Sequence, residues 1–322
     1  MKFGVIAIGR NEGQRLKTCL ASLSAASAIV YVDSGSTDDS VILASNAGAD
    51  IVNLDMTRPF TAARARNTGF RRLRQIDKTI EYVQFIDGDC ELIASWPKQA
   101  LAFLDQNPVT AAVTGRRRER FPARSVYNWL CDLEWNTPPG ETRSFGGDVM
   151  IRAIALDQVS GYREDMIAGE EPELCVRLRG ANWKIWRLDA EMTLHDAAMT
   201  RFSQWWRRSL RSGYAFGLGS SLHGRAPEYH KVRETRRAWL WGVWLPLAGI
   251  VSPIVFGPWG ALLWCLYPLQ ILRLVFKRQG PLADRLKIAF FQTLARFPEG
   301  VGEIMCLRDR VFSRKRRLIE YK

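Results

Sequence analysis

Short apolar runs alternate with segments of helical periodicity along the first two thirds of the chain. The runs that predict strands cover residues 3–8, 29–32, 49–54, 83–86, 111–114 and 184–188. The first predicted helix carries Leu16, Leu20 and Leu23 on one face, and further helices are predicted at residues 60–74, 95–104 and 174–179. Strands that alternate with helices favour an α/β fold with a mostly parallel sheet and helices on both faces.

Two acids follow directly after one of these strands. The apolar run through Phe85 and Ile86 leads into Asp87-Gly88-Asp89. Ligand sites of open α/β sheets lie at the ends of strands, and glycine lets the backbone turn sharply there. Two carboxylates on one turn can share a divalent cation, which suits a diphosphate. A solvated turn between a strand and a helix would have the same sequence, so this motif alone leaves both interpretations open.

A second polar turn follows the strand at residues 29–32. Its sequence is Asp33-Ser34-Gly35-Ser36-Thr37-Asp38, and Ser36 or Thr37 is a good N-cap for the next helix. A glycine turn before a helix N-terminus offers backbone N–H groups to anionic oxygens, and an acid to a base or ribose. This pattern is typical of a nucleotide pocket and also of a well-capped turn.

Arginine runs and clustered acids mark the second half of this region. The basic run from Arg116 to Arg118 is predicted to begin an irregular, basic and aromatic region. Glu170 and Glu171 stand at the start of a predicted helix, where the helix dipole stabilises carboxylates. His195 follows the last predicted strand.

Charge and cysteine content restrict the class of protein. The chain of 322 residues has a formal net charge of +13, which indicates an anionic partner such as nucleic acid, lipid headgroups or a phosphorylated substrate. The six cysteines form no CxxC pair. Their scatter argues against a zinc site or a disulfide framework and fits a reducing compartment.

Taken in order, the motifs of residues 3–200 resemble those of a family 2 inverting glycosyltransferase of the GT-A fold. The pieces are Asn11-Glu12, Val32-Asp33-Ser34-Gly35-Ser36-Thr37-Asp38, Ala63 with Arg66-Asn67-Thr68-Gly69, Asp87-Gly88-Asp89, Gly146-Gly147 and Gly169-Glu170-Glu171. Each piece is common, but their shared order is specific to the family.

The resemblance implies roles for individual residues. Asp33 would contact the nucleotide base, Asp38 would shape the same pocket, and Asp87 would lie beside the ribose and the metal. Asp89 would bind the metal, either Mn²⁺ or Mg²⁺, with His195 as a further ligand. The implied donor-binding set is Asn11, Glu12, Asp33, Ser34, Asp38, Arg66 and Asp87. Glu171 occupies the place of the family's catalytic base, usually an aspartate, and Glu170 stays an alternative to it.

An acceptor motif is only partly present. The family's processive polysaccharide synthases carry Gln-x-x-Arg-Trp after the base, whereas this chain has Gln204-Trp205-Trp206-Arg207-Arg208. An arginine replaces the final tryptophan, which weakens the case for processive synthesis. The set Gln204, Trp205, Trp206 and Arg207 could line an acceptor path, and the tryptophans could equally form a belt at a membrane interface.

The last hundred residues are predicted to associate with a membrane. Residues 238–272 carry no charge, and Gly257-Pro258 divides the stretch into two segments, each near the lower limit for crossing a bilayer. We call residues 238–276 the apolar hairpin. Basic residues flank it on both sides (Arg233, Arg236, Arg237; Arg273, Lys277, Arg278), which predicts that both ends lie on the cytoplasmic side.

Prolines in the apolar hairpin leave alternatives open. Pro246, Pro253 and Pro268 would also fit re-entrant or interfacial helices, and a soluble helical hairpin is a further alternative. An amphipathic segment at residues 286–297 and the basic run Arg314-Lys315-Arg316-Arg317 suit a surface that faces anionic lipid.

These observations predict a glycosyltransferase domain at residues 1–225 and a membrane-associated helical region at residues 226–322. The expected activity is metal-dependent transfer of a sugar from a nucleotide-sugar donor to a lipid-linked or polysaccharide-precursor acceptor, at the cytoplasmic face of a membrane. A sugar-1-phosphate nucleotidyltransferase is the enzymatic alternative, although Gly9-Arg10-Asn11-Glu12-Gly13 is a poor phosphate-binding signature for it. A basic nucleic-acid-binding protein is the other alternative, but no nucleic-acid-binding module accompanies the arginines, so no nucleic-acid partner is expected.

Overall fold

The structure, a computed structural model, describes residues 2–312. The chain forms two compact units that divide between Thr200 and Arg201. The predicted domain boundary at residues 225/226 lies further along, after a long helix that belongs to the second unit. The predicted basic run Arg314-Lys315-Arg316-Arg317 lies outside the described residues.

One mixed sheet organises the first unit. Its strands are β1 (Phe3–Gly9), β2 (Ala28–Asp33), β3 (Asp50–Asn53), β4 (Tyr82–Asp87), β5 (Cys90–Leu92), β6 (Thr110–Glu119), β7 (Gly140–Glu141), β8 (Val149–Arg152) and β9 (Lys184–His195). Their order is β3-β2-β1-β4-β8-β6-β9-β5, and β7 pairs with β9. The β3-β2-β1-β4 half is parallel, whereas β8 runs antiparallel between β4 and β6.

Helices cover both faces of this sheet, as predicted. They are α1 (Gln14–Ala21), α2 (Ser40–Asn46), α3 (Ala62–Ile76), α4 (Trp96–Gln106), α5 (Val126–Trp135), α6 (Ala153–Gln158) and α7 (Glu170–Gly180). Because side chains alternate along a strand, Ile6 and Ile8 of β1 face the core beneath α3 and α7, and Val5 and Ala7 face the core beneath α1 and α4. The predicted α/β fold is therefore confirmed.

The prediction of an irregular region from Arg116 was wrong, because β6 continues to Glu119 beside β9. Each arginine of the run has a carboxylate partner: Arg116 pairs with Asp132, Arg117 with Asp148, and Arg118 with Glu191. Paired charges can remain in a strand whose register shifts three times, two of the shifts lying between Thr114 and Arg117.

The second unit is helical. Its helices are α8 (Phe202–His223), α9 (Val232–Trp239), α10 (Leu245–Phe256), α11 (Leu266–Phe276), α12 (Leu282–Leu294) and α13 (Arg296–Val311). A π-helical turn (Leu240–Trp244) joins α9 to α10, and a 3-10 segment (Gly257–Cys265) joins α10 to α11. The chain reverses at Gly257, as predicted for the apolar hairpin. The segment Val232–Phe276 has the length and apolar composition to cross a membrane, which by itself is weak evidence.

Candidate active site

The predicted donor-binding residues gather at one edge of the sheet. Gly9 at the end of β1 pairs with Asp33 at the end of β2, and Ile8 pairs with Asp87 at the end of β4. Parallel strands end at the same edge, so their following turns meet there.

The turns after β1 and β2 are held together by side chains from the predicted motifs. The Asn11 side-chain oxygen accepts a hydrogen bond from the Thr37 amide at 2.7 Å, and the Asn11 amide donates to the Ser36 hydroxyl at 2.9 Å. The Glu12 amide donates to the Ser40 hydroxyl at 3.2 Å. Asn11 and Glu12 therefore help to shape these turns.

The acids of the second turn are also bound to the turn's own backbone. Asp33 is buried and accepts hydrogen bonds from the Gly35 and Ser36 amides at 2.9 and 2.8 Å. Asp38 accepts from the Ser40 amide at 3.0 Å, and hydrogen bonds from Ser40 lower the pKa of its carboxyl. Ser34 is buried beside Asp33. These contacts fix the turn before any ligand binds.

Arg66 of α3 is the centre of a buried ion-pair cluster. Its guanidinium lies 3.0 Å from the Asp87 carboxylate, 3.1 Å from Glu170 and 3.0 Å from Glu171. Burial favours the neutral guanidine, but Glu171 and Asp87 outweigh it and raise the pKa of Arg66 well above its ordinary value. We call Asp87, Glu170 and Glu171 the carboxylate cluster.

Arg66 was predicted to bind the donor, but its side chain is only 3% exposed and points at carboxylates. Gly147, just before β8, explains how the cluster can pack. A Cβ there would lie 2.6 Å from an Asp87 oxygen and 2.7 Å from an Arg66 nitrogen. Glycine at position 147 leaves room for this ion pair, which accounts for the second glycine of the Gly146-Gly147 motif.

The two candidate bases differ in exposure. The Glu170 side chain is 3% exposed, whereas that of Glu171 is 16% exposed. Burial, followed by the neighbouring charge of Glu170, raises the pKa of Glu171 to about 7, although Arg66 opposes the shift. A carboxylate with a pKa near neutrality and some access to solvent suits a general base, so these properties favour Glu171 over Glu170.

A second group of side chains lies where β5 pairs with β9. Cys90 is opposite His195 in that register, so the preceding Asp89 places a carboxylate oxygen 3.3 Å from His195 Nε2. Both side chains are buried. Two ligands about 2.2 Å from one cation at roughly a right angle are about 3.1 Å apart, so this pair fits a shared divalent ion.

Glu119 also belongs to this group, although it was not predicted from the sequence as a site residue. It ends β6 opposite His195 and places a carboxylate oxygen 3.7 Å from His195 Nδ1. Burial alone would raise the pKa of Glu119, but the His195 ring and the Ala197 and Phe121 amides lower it. Burial and then Arg117 lower the pKa of His195, so the ring stays neutral and can present its Nε2 lone pair.

Arg117 links the two groups and was likewise not predicted as a site residue. Its guanidinium lies 3.5 Å from Asp87 and 3.4 Å from Asp148, and it stacks on the Trp135 ring. Trp135 also makes an edge contact with His195. Alternation along an extended β6 would have placed Arg117 and Glu119 on one face, but their sequence was interpreted as irregular.

The ligand set favours oxygen over sulfur. Cys90 lies close enough to Asp89 and His195 to join them around an ion, and also close to Asp87 and Asp148. Burial and then Asp148 raise the pKa of the Cys90 thiol well above its ordinary value. A neutral thiol is a poor ligand for Mg²⁺ or Mn²⁺, so Asp89 and His195 are the better candidates, whereas Asp87 is held by Arg66 and Arg117.

The charge balance of this region also favours a cation. The side chains described above comprise six carboxylates (Asp87, Asp89, Glu119, Asp148, Glu170, Glu171) and two guanidiniums (Arg66, Arg117). Such a site would repel a diphosphate unless a divalent cation lay between them.

The predicted acceptor residues lie in the second unit. The side-chain oxygen of Gln204 accepts a hydrogen bond from the Arg201 amide at 2.9 Å and caps α8. Trp205 is buried against Phe291, Trp206 contacts Phe202, and Arg207 is exposed. Their acceptor role stays a prediction.

Sequence comparison matches residues 5–150 to the family Glycosyl transferase family 2. A TPR repeat-containing protein of Synechococcus elongatus is 30% identical over 132 residues, which cover 41% of this chain and 31% of that protein. The match thus spans about a third of the curated relative's length.

Two of the solved structures that are similar to the chain illustrate the match. A mannosyltransferase from Pyrobaculum calidifontis, in complex with GDP-Man and Mn²⁺, has a TM-score of 0.61 at 17% identity, over 96% of this chain and 88% of that one. A glucosyl-3-phosphoglycerate synthase from Mycobacterium tuberculosis, in complex with Mn²⁺, UDP and glucosyl-3-phosphoglycerate, has a TM-score of 0.49 at 19% identity, over 69% of this chain and 80% of that one. The first similarity extends over both units and concerns the fold.

Proposed function

We propose that this chain, whose residues 5–150 match Glycosyl transferase family 2 and whose fold is similar to that of a solved mannosyltransferase, transfers a sugar from a nucleotide-sugar donor to a hydroxyl group of a lipid-linked or polysaccharide-precursor acceptor. Transfer would invert the anomeric carbon and depend on Mn²⁺ or Mg²⁺. The observation that carries the proposal is the pairing of a cation-binding geometry at Asp89 and His195 with a carboxylate of raised pKa, Glu171, in the same unit.

In the proposed reaction, the oxygen of the acceptor hydroxyl attacks the anomeric carbon, and Glu171 accepts the proton of that hydroxyl. The bond from that carbon to the donor diphosphate breaks as the new glycosidic bond forms. A cation bound by Asp89 and His195 would neutralise charge on the departing diphosphate. Arg66 holds Glu171 and Asp87 in place, and the turns containing Asn11 and Asp33 form the nucleotide pocket.

The two alternatives to this function have less support. The family match favours sugar transfer over nucleotidyl transfer. The arginines of α3 contact groups of the protein itself. Arg66 pairs with Asp87, Arg71 with Glu164 and Arg72 with Asp50. The α3 arginines therefore give no argument for a nucleic-acid surface.

A lipid-linked acceptor and a place at the cytoplasmic face of a membrane are supported by the apolar hairpin and its basic flanks. Mn²⁺ or Mg²⁺ as the metal is supported by the Asp89 carboxylate beside the His195 imidazole, with the Cys90 thiol kept neutral by burial. The donor sugar is best identified by incubating the full chain with a panel of nucleotide sugars and measuring nucleotide release with Mn²⁺, Mg²⁺ or EDTA.

Asp89→Asn tests the metal-dependent part of the proposal. The change keeps the side-chain shape but removes the charge, so the affinity for nucleoside diphosphate in the presence of Mn²⁺ should fall by a factor on the order of ten or more. Calorimetry on the full chain measures it, with Asp105→Asn on the exposed surface of α4 as the control. Equal, Mn²⁺-dependent affinity in the two folded variants would remove Asp89 from the site.

A further inference from the structure

The apolar hairpin leaves most of its side chains uncovered in the second unit. Large apolar side chains on both legs and at the turn are exposed, among them Ile254 at 81%, Phe256 at 71% and Trp259 at 78%. Contiguous apolar surface of this size marks an interaction site. The hydrogen bonds to the backbone of the hairpin indicate which partner this apolar surface fits.

The first of these bonds compensates for Pro253. Proline has no N–H, so the Gly249 carbonyl, four residues earlier, loses its helical partner. The Trp264 indole Nε1 on the opposite leg donates to that carbonyl at 3.1 Å. The legs also approach closely here, because a Cβ on Gly249 would lie 2.8 Å from the Trp264 ring.

The second bond compensates for Pro246. In the π-helical turn the Leu245 amide donates to the Leu240 carbonyl, five residues earlier. The next bond of that pattern would join residue 246 to the Trp241 carbonyl, but Pro246 has no N–H to donate. The Tyr267 hydroxyl on the opposite leg donates to the Trp241 carbonyl at 2.7 Å.

A third bond lies nearer the turn. The buried Ser252 hydroxyl donates to the Gly260 carbonyl at 2.9 Å. A Cβ on Gly260 would lie 2.3 Å from the Ser252 carbonyl carbon, so glycine is needed for this approach. Small residues at the contact and polar bonds between helices are typical of packing in lipid.

These bonds would have little value in water, which can hydrate a freed carbonyl. In the hydrocarbon of a bilayer no water is available, and each unpaired backbone group costs several kcal/mol. Two carbonyls freed by proline are both met by neutral donors from the other leg, and residues 238–272 carry no charge. This chemistry favours lipid over a protein partner or a second copy of the chain.

The length of the hairpin indicates how deep it reaches. Its base is fixed at Gly242, where a Cβ would lie 1.9 Å from the Arg296 carbonyl oxygen of α13. The 12 residues of α10 begin three residues after this base, so the leg from Gly242 to Phe256 extends about 21 Å, against a hydrocarbon thickness of about 30 Å. The turn from Phe256 to Trp259 also contains no polar side chain that could reach the opposite headgroups.

We propose that the protruding part of the hairpin, residues 245–265, enters a lipid bilayer from one face and returns to the same face without crossing it. This deepens the membrane association included in the proposed function but does not require sugar transfer, and its test does not use activity. Failure of the test therefore leaves the proposed transfer standing, and an inactive enzyme would leave this proposal standing.

Single cysteines at the turn test the proposal in the full chain. Cys265 is replaced by serine, since it is the exposed one among the six cysteines of the chain. Trp259→Cys and Ile254→Cys place thiols at and near the turn, and both positions are exposed, so the fold should tolerate them. Arg233→Cys, on the exposed surface of α9, is the matched aqueous control.

The variants are reconstituted into sealed vesicles of phosphatidylethanolamine and phosphatidylglycerol and treated with a membrane-impermeant maleimide, outside or trapped inside. We expect residues 259 and 254 to be protected from both sides and labelled after detergent is added, whereas residue 233 is labelled from its own side. Labelling of residue 259 from the side opposite to residue 233 would show a crossing hairpin and overturn the proposal. Labelling from the same side as residue 233 would show a hairpin outside the lipid and overturn it as well.

Discussion

The carboxylate cluster of the first unit and the apolar hairpin of the second unit both remove backbone or side-chain polar groups from water, but by opposite means. The cluster uses full charges: Arg66 is surrounded by Asp87, Glu170 and Glu171 at 3.0 to 3.1 Å. The hairpin uses neutral donors only, from Trp264, Tyr267 and Ser252.

This difference reflects what each region is built to meet. Buried charges are costly unless paired, and an excess of one sign is stable only with a ligand of the other sign. The excess of carboxylates in the first unit is therefore consistent with the cation and diphosphate site that we propose there. A charge in hydrocarbon has no such partner, so the hairpin avoids charge and pairs every proline-freed carbonyl named above with a neutral group.

The largest effect is expected from Glu171→Gln, which removes one charge of the cluster. Turnover should fall by roughly 10² to 10⁴ if Glu171 is the general base, with donor affinity nearly unchanged. Glu170→Gln is the matched control, because Glu170 contacts the same Arg66 nitrogen but is 3% exposed. A large loss in Glu170→Gln alone would exchange the two assignments.

The pH dependence of the wild type and of Glu171→Gln further tests the assignment of Glu171 as the general base. Burial and then Glu170 raise the pKa of Glu171 to about 7, so the base is protonated at lower pH and turnover should rise through about pH 7. The folded-state pKa is above the unfolded value, so the stabilisation from protonating Glu171 is fully present near pH 4 and is lost as the pH rises through about 7. The melting temperature of Glu171→Gln relative to the wild type should therefore be higher at pH 8 than at pH 5.

A smaller effect is expected from Glu119→Gln. Glu119 faces His195 Nδ1 at 3.7 Å, and a carboxylate in that place orients a histidine ligand. Affinity for Mn²⁺ should fall by roughly 10- to 100-fold, as measured by the electron paramagnetic resonance signal of free Mn²⁺ in a titration without donor. Glu119 would then be a positioning residue for the cation site.

The control for this change is Glu91→Gln, which alters a carboxylate of the same sheet that pairs with Arg120 and is 31% exposed. Circular dichroism and the melting temperature would establish that both variants are folded. Equal Mn²⁺ affinity in the two variants would separate Glu119 from the metal.

The sequence was most informative where local chemistry decides the structure. Apolar runs located the parallel strands β1 to β4, and the family motifs located Asp33, Asp87, Asp89 and His195 near strand ends. It was less informative about Arg117 and Glu119. Those residues stay in β6 because partners distant in sequence, Asp148 and His195, neutralise or face them. Strands are predicted from the pattern of apolar residues along the chain, and that pattern carries no information about pairs between residues distant in sequence.

The same limit applies to Arg66 and to the hairpin. The family resemblance implied a donor-binding role for Arg66, which stays a prediction, but it did not reveal the three carboxylate partners of Arg66, which come from β4 and α7. In the hairpin the sequence predicted the turn at Gly257, and the prolines left re-entrant or interfacial helices as alternatives. It did not predict that Trp264 and Tyr267 would compensate for Pro253 and Pro246, because that depends on how the legs align.

The smallest effect is expected from Trp264→Phe, which keeps an aromatic ring but removes the donor to the Gly249 carbonyl. A side-chain hydrogen bond between helices in lipid has a net value of about 1 kcal/mol, because the opened segment finds other partners, and this corresponds to about fivefold faster local opening. We expect hydrogen exchange of amides in α10 to accelerate by about that factor in phospholipid vesicles.

The control Trp259→Phe alters the exposed turn, so it should leave exchange in α10 unchanged. The expected exchange rate depends on the environment of α10. If water reached α10, it would hydrate the freed Gly249 carbonyl, and Trp264→Phe would behave like the control. A difference between the two variants in vesicles would therefore report that α10 lies in hydrocarbon. Identical exchange would break the contrast between a charged, ligand-binding site and a neutral, lipid-facing hairpin, because the hairpin's cross-leg bonds would then be ordinary contacts in water.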